Sequence, residues 1–203
     1  MPQEQGAEAT WAWYALQTPD CSPLDRSAYP AAQLAERTIP WPDWACRAPD
    51  GGVHIDARRS RIDVHIAKTP KPRLQLGWTC EFGAILVRRD WLALIEDLLV
   101  DSSISVGEVS VSGRRLDSWA TLHGSNAPPL LSTEGWSKTC PTCGSIYSTL
   151  HGREFFAARA ALSKPVIVNW TGIFIRSDIF EARRLPVPRG AFKPDWVSLE
   201  ELH

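Results

Sequence analysis

Residues 85–92 of the chain read Ile-Leu-Val-Arg-Arg-Asp-Trp-Leu, and this stretch predicts how the chain folds. The short apolar run predicts a buried strand, and Asp90 predicts the N-cap of a helix that begins with Trp91. Residues 173–180, Ile-Phe-Ile-Arg-Ser-Asp-Ile-Phe, repeat the pattern with Asp178 at the capping position. Two units of strand, tight turn and helix therefore predict two related halves.

Other segments alternate between polar and apolar residues, which predicts half-buried strands. Residues 61–66 place three aliphatic side chains on one face and His65 on the other, where we expect it to be solvated. Residues 104–112 alternate with a change of phase around Gly107, which predicts a β-bulge. Helical segments are few and short. We therefore predict an α+β fold with a mixed, mostly antiparallel sheet.

The length of 203 residues suits a single domain spanning residues 1–203. Residues 1–72 are rich in proline and predicted to be mostly loops, whereas residues 73–203 carry the main α+β pattern. The segment Thr69-Pro-Lys-Pro-Arg resembles a linker, so these two parts are candidates for separate lobes.

Charge and hydropathy exclude several classes of protein. Lys and Arg total 22 against 23 Asp and Glu, and the net charge of −1 argues against a dedicated nucleic-acid binder. The first ten residues lack the pattern of a secretion signal, and no apolar run approaches the ~18 residues that cross a bilayer. Five cysteines are an odd number for a disulfide framework. We expect a soluble cytoplasmic protein with reduced thiols and no membrane partner.

The sequence Cys140-Pro-Thr-Cys143-Gly144 has the spacing of a zinc knuckle. The two thiolates can reach one ion, and the glycine permits the left-handed backbone of such a turn. Tetrahedral zinc needs two further ligands, and no second CxxC is present. The candidates are Cys21, Cys46, Cys80 and His151.

Two other interpretations of this pair remain: free thiols without a metal, or a redox pair. A thioredoxin-type pair begins a helix, whereas the residues after Gly144 favour a strand. We therefore predict a structural zinc site that adds folding energy without catalysis.

Catalytic patterns are weak. The chain has no G-x-S-x-G, no H-E-x-x-H and no Gly-rich phosphate loop. Cys80 with histidines elsewhere is the one nucleophile candidate, and a core cysteine explains it equally well. We expect no enzyme, and the alternative is a Cys-dependent enzyme, either a hydrolase or a thiol oxidoreductase.

Several segments in order resemble the double-CXXCG-motif immunity proteins of bacterial toxin–immunity systems. The matching segments are residues 29–34 (Tyr-Pro-Ala-Ala-Gln-Leu), both strand–helix units and the knuckle at Cys140 and Cys143. The family's first knuckle precedes the position of Tyr29, and here that region holds only Cys21. The resemblance implies that Cys21 is its remnant and ligates zinc with Cys140 and Cys143.

The resemblance further implies a non-enzymatic inhibitor that binds a cognate toxin encoded nearby. An interface with a basic toxin would use aromatic and acidic residues. The candidates in the loop-rich part are Trp41, Asp43, Trp44, Asp50 and Asp56. A zinc-ribbon adaptor for nucleic acid is a third hypothesis, which the charge balance disfavours.

Overall fold

The computed structural model describes residues 11–17, 21–22, 43–47, 49, 53–56, 58–79, 84–124, 130–132, 138–144, 146–147, 154–157, 162–169 and 172–201. The strands are β1 (Trp11–Gln17), β2 (Cys21–Ser22), β3 (Ala45–Arg47), β4 (Val53–Ile55), β5 (Val64–Ile66), β6 (Leu76–Thr79), β7 (Ile85–Arg88), β8 (Ile104–Val111), β9 (Arg114–Gly124), β10 (Leu130–Ser132), β11 (Lys138–Thr139), β12 (Ile146–Tyr147), β13 (Glu154–Ala157), β14 (Val166–Asn169), β15 (Gly172–Arg176) and β16 (Phe192–Glu201). The helices described from end to end are α1 (Arg89–Leu92), α2 (Glu96–Asp101) and α3 (Ser177–Ala182).

Most strands form two six-stranded sheets. The first sheet has the order β10-β13-β16-β1-β15-β14, and the second has the order β2-β6-β7-β9-β8-β5. Strand pairs are antiparallel except β13–β16, β2–β6 and β5–β8. The predicted α+β class with a mixed, mostly antiparallel sheet is confirmed. Both sheets take strands from residues 1–72 and from residues 73–203.

Each sheet contains one of the two repeated units. Strand β7 lies between β6 and β9 in the second sheet and continues into α1. Strand β15 lies between β1 and β14 in the first sheet and continues into α3. Both strands are antiparallel to both of their neighbours. The repeat in the sequence thus corresponds to equivalent strand–helix units in two sheets.

The predicted N-caps at Asp90 and Asp178 are wrong. The N-cap residues are Arg88 and Arg176, whose backbones are extended, with ψ of 137° and 134°. The aspartates lie in the first helical turn, and each pairs with the arginine two residues before it, at 2.8 Å for Asp90 and 2.7 Å for Asp178. Asp90 Oδ1 also accepts the N–H of Trp91 at 2.7 Å. The carboxylates therefore stabilise the start of each helix from within it.

The Arg176–Asp178 pair predicts a pH dependence of stability. Hydrogen bonding to Arg176 is the main cause that lowers the pKa of Asp178 in the folded state. Its stabilisation is therefore present above the unfolded pKa of about 3.9 and is lost as pH falls from there through the folded pKa. Asp178→Asn should cost a few tenths of a kcal/mol at pH 6, because the pair is partly exposed, and less at pH 2.

Urea unfolding of the wild-type protein and of Asp178→Asn at pH 6 and pH 2 measures how the cost of the substitution depends on pH. Asp101→Asn is the matched control, because Asp101 is exposed and its carboxylate makes no ion pair with any described residue. An equal loss at both pH values for Asp178→Asn would contradict the prediction.

The main hydrophobic core lies between the two sheets. It contains Ile85 and Val87 from the second sheet and Ile173 and Ile175 from the first. The Trp91 side chain is fully buried in this core, and its indole N–H donates to the carbonyl of Pro186 at 2.8 Å. The core thus ties the two sheets together.

A second, smaller core covers the opposite face of the second sheet. Leu86 points into it, whereas its neighbours on β7 point into the main core. Burial on both faces explains why β7 is a continuous apolar run rather than an alternating one. Trp44, Ile62 and Trp119 pack in this second core, so the segment around β3 is attached to the sheet.

The alternation of residues 61–66 is confirmed, since the three aliphatic side chains are buried and His65 is only half-buried. His65 Nδ1 also hydrogen-bonds to the Ser110 hydroxyl on the neighbouring strand β8. The bulge that we predicted in β8 around Gly107 is not found there, because Gly107 pairs in regular register with Thr121. The register shifts between Glu108 and Ser110, and the extra residues at this irregularity belong to β9, which passes from Ala120 to Arg115. None of the helices in the described ranges is long and apolar enough to cross a membrane.

Candidate metal centre

The knuckle turn lies between β11 and β12, which pair as a separate two-stranded ribbon. The N–H of Gly144 donates to the carbonyl of Cys140 at 2.8 Å and closes the turn. Gly144 has φ of +76°, a left-handed conformation that favours glycine. The turn brings the Sγ atoms of Cys140 and Cys143 to one side, as the spacing predicts.

A second ribbon, formed by β3 and β4, supplies two more side chains. Cys46 and His54 are direct cross-strand partners in its antiparallel register. Side chains of directly opposite residues lie on the same face of a ribbon, so the thiol and the imidazole adjoin. Trp44 anchors this ribbon, because its indole N–H donates to the carbonyl of Asp63 at 3.0 Å and its own carbonyl accepts the N–H of Asp56 at 2.9 Å.

The four side chains from the two ribbons converge on one point. The ligand atoms of Cys46, His54, Cys140 and Cys143 all lie within 4.8 Å of one another. The Sγ atoms of Cys46 and Cys140 are 3.9 Å apart, and His54 Nε2 is 3.2 Å from Cys143 Sγ. Tetrahedral zinc with Zn–S of about 2.3 Å and Zn–N of about 2.0 Å separates sulfur pairs by about 3.8 Å and sulfur–nitrogen pairs by about 3.5 Å. The cluster therefore fits a zinc ion.

The chemistry of the ligands also fits zinc. Thiolate and imidazole are its preferred ligands, and three cysteines with one histidine are a common structural set. The cysteines are at most 8% exposed, and all three are free thiols. On binding zinc, these four protein ligands would complete the tetrahedron and leave no open position for water or substrate, which is the property of a structural site.

The thiols differ in acidity. Burial, followed by hydrogen bonds to Cys143 and Cys140, raises the pKa of Cys46 to about 12. Burial also opposes ionisation of Cys140, but hydrogen bonds from the backbone N–H groups of Cys143 and Thr142 outweigh it and lower the pKa of Cys140. Cys140 therefore loses its proton at a lower pH than Cys46. A bound metal ion would replace the protons of both.

An arginine lies close to the thiol cluster. Arg58 donates through Nε and Nη2 to the two carboxylate oxygens of Asp56 at 2.9 Å and 2.6 Å. The hydrogen bond to Asp56 raises the pKa of Arg58, and the negative charges of Cys46 and Cys143 act in the same direction. Three thiolates and one neutral imidazole around Zn²⁺ would carry a net charge of −1. Arg58 attracts this charge, but its own charge is already balanced by Asp56.

The structure places the predicted ligands as follows. Cys140 and Cys143 lie together in the cluster, and Cys46 was one of the four candidates for completing it. The backbone of Cys21 lies at the start of β2 beside Trp78 in the second sheet, and its side chain is outside the described part of the chain. Its role as a ligand stays a prediction, and the four described side chains already form a complete set. Cys80 and His151 also lie outside the described residues.

His54 was not among the residues predicted as ligands. A signal was available, because Asp50-Gly51-Gly52 indicates a turn and apolar residues flank it on both sides. Pairing residues 45–47 with 53–55 places His54 opposite Cys46. The sequence does not determine which residues of these two short strands lie opposite each other. A single histidine in a short strand also does not indicate a metal site by itself.

Two of the proposed toxin contacts need correction. Trp44 is only 2% exposed and packs in the second core, because its large ring is the main apolar side chain that attaches the β3–β4 ribbon. Asp56 is only 5% exposed, and Arg58 neutralises its charge. Asp43 is exposed and lies 3.9 Å from Arg59. Trp41 and Asp50 lie outside the described residues.

In comparisons with known proteins, no protein-family model and no curated protein matches this chain.

Proposed function

We propose that the chain is an immunity protein, which binds and neutralises a cognate bacterial toxin, and that a structural zinc ion holds its two ribbons together. The observation that carries the zinc part of the proposal is the convergence of Cys46, His54, Cys140 and Cys143 from ribbons distant in sequence. A closed set of four protein ligands supports a structural role for the metal. The resemblance of the knuckle and both strand–helix units to the double-CXXCG-motif immunity proteins supports the toxin as the partner.

The ligand set also suggests how this chain departs from the family pattern. The second pair of zinc ligands would come from Cys46 and His54, across a ribbon, instead of from an N-terminal CxxCG. Cross-strand neighbours and knuckle residues can both point two ligands at one ion. A zinc site can thus persist in a chain that has lost one CxxCG.

The proposed function predicts protection of cells by the intact chain. Co-expression with the toxin encoded by the neighbouring gene should restore growth, and the two proteins should co-purify as a one-to-one complex. Cys140→Ser should lose protection, because without the ion the β11–β12 ribbon is no longer tied to the β3–β4 ribbon. Asp101→Asn, a change at an exposed carboxylate, is the control and should protect fully.

The same experiment separates this proposal from a Cys-dependent enzyme. A binding protein protects in proportion to its amount and needs at least one molecule per toxin, whereas an enzyme protects at a small fraction of that amount. Zinc-loaded chain that neither binds the toxin nor restores growth would refute the proposed function and leave the metal centre unaffected.

A further inference from the structure

The metal centre places two sulfur atoms next to each other across two ribbons. Cys46 lies on β3 and Cys140 begins the knuckle turn, and their Sγ atoms are 3.9 Å apart. Both side chains are buried, and both are free thiols. Because the two residues are 94 positions apart in the sequence, the fold itself holds their thiols together.

The backbone is ordered on both sides of this sulfur pair. Cys46 pairs with His54 across the β3–β4 ribbon, and Trp44, two residues earlier, is buried in the second core. The carbonyl of Cys140 accepts the N–H of Gly144, which closes the knuckle turn. A disulfide has an S–S distance of about 2.05 Å, so the two sulfur atoms would have to approach by about 1.9 Å. That distance is within the reach of side-chain rotation about χ1.

Small molecules in solution can reach the cluster from the knuckle side. Pro141, Thr142 and Gly144 are exposed, so this side of the cluster lies just below the surface. Cys143 is the most exposed of the three thiols, at 8%. Once one thiol of such a cluster is oxidised, thiol–disulfide exchange passes the bond among its neighbours. The geometry and stability of the fold therefore decide which disulfide remains.

The three possible disulfides of the cluster differ in what they join. A bond between Cys140 and Cys143 closes one turn and leaves the two ribbons separate. A bond between Cys46 and Cys140 joins the ribbons across 94 positions of the chain, and a longer closed loop constrains the unfolded chain more strongly. A bond between Cys46 and Cys143 also joins the ribbons, but it removes the thiol that lies 3.2 Å from His54 Nε2. The arrangement thus favours Cys46 with Cys140.

We propose that the metal centre is also an oxidation site, at which a peroxide joins Cys46 and Cys140 in a disulfide and zinc is released. The two zinc–sulfur bonds of these thiolates break and one S–S bond forms. Hydrogen peroxide accepts the two electrons and, with two protons from the solvent, gives two water molecules. The disulfide then keeps the ribbons joined without the metal. This inference rests on the zinc part of the proposed function and not on the toxin.

The test treats the full zinc-loaded chain with hydrogen peroxide. A metallochromic dye measures zinc release, mass spectrometry of a non-reducing digest maps the disulfides, and urea unfolding measures stability. We expect about one zinc ion released per chain and one pair of peptides linked through Cys46 and Cys140. Dithiothreitol with added zinc should reverse both changes. A chelator should destabilise the reduced protein and leave the oxidised protein unchanged.

Two matched variants separate disulfide formation from the loss of zinc. Cys143→Ser and Cys140→Ser each remove one ligand, so neither keeps the complete metal site. Cys143→Ser retains both thiols of the proposed pair, and peroxide should raise its urea midpoint by about 1 M or more. Cys140→Ser lacks one of these thiols, and peroxide should leave its midpoint unchanged.

The outcomes distinguish this proposal from the proposed function. A disulfide between Cys140 and Cys143, zinc release without any disulfide, or an equal gain of stability in both variants would overturn the oxidation site alone. Protein that contains no zinc before oxidation would refute the zinc part of the proposed function, and the oxidation site with it. Toxin binding enters none of these measurements.

Discussion

Cys46→Ser should empty the metal centre and lower the free energy of unfolding by about 4 kcal/mol or more. Cys46 is one of four ligands, and its loss leaves Cys140, Cys143 and His54 without a complete tetrahedron. Zinc content by elemental analysis should fall from about one ion per chain to less than about 0.1. The β3–β4 and β11–β12 ribbons, which are far apart in the sequence, would then no longer be cross-linked. The loss of stability should therefore exceed that expected from changing one buried side chain.

A chelator separates the loss of metal from the loss of packing. Wild-type protein should be destabilised by the chelator, whereas Cys46→Ser should unfold at the same urea concentration with and without it. Cys21→Ser is the informative companion, because the resemblance predicts that Cys21 is a ligand and the described cluster is complete without it. We expect Cys21→Ser to keep its zinc. Full zinc in Cys46→Ser would contradict the four-ligand assignment.

Gly107→Ala should destabilise the fold by about 3 kcal/mol or more, which is at or above the upper end of typical overpacking costs. A Cβ atom at this position would lie 1.8 Å from the carbonyl oxygen of Ile62 and 2.3 Å from Thr121 Oγ1. The Thr121 hydroxyl also donates to that same carbonyl at 2.5 Å. The methyl group therefore forces apart β8, β9 and the segment leading into β5.

Gly113→Ala is the matched control for this prediction. Gly113 has φ of +73° and nothing within 4 Å of the position of an added Cβ, so alanine there brings only backbone strain, about 1 kcal/mol. Urea unfolding measures both variants against the wild-type protein. Equal and small losses at the two positions would show that the close approach at Gly107 is not rigid.

The elements of the fold that could be predicted are those whose determining residues all lie within one short segment of the sequence. The repeated apolar–Arg–x–Asp sequence predicts two strand–helix units, because burial on both faces and a carboxylate in the first helical turn leave a recognisable order of residues. The role of Asp90 could not be predicted, since a capping aspartate and an aspartate within the first turn differ by only one or two positions. Trp44 could not be assigned to the core, because its burial depends on Ile62 and Trp119, which are distant in sequence.

Two of the four candidate metal ligands could be predicted from their spacing in the sequence. The knuckle at Cys140 and Cys143 is local, so its spacing alone indicates two ligands of one ion. The other pair depends on the register of a short ribbon and on its docking against a segment about 90 residues away, which no local pattern specifies. The family resemblance predicts Cys21 as a ligand, whereas the described side chains that join Cys140 and Cys143 in the cluster are those of Cys46 and His54.

X-ray absorption at the zinc edge of the purified, unchelated protein measures the central assignment directly. We expect about three sulfur ligands near 2.3 Å and one nitrogen ligand near 2.0 Å around a single zinc ion per chain. A spectrum with four sulfur ligands, with two or fewer, or with a water-filled coordination position would contradict it.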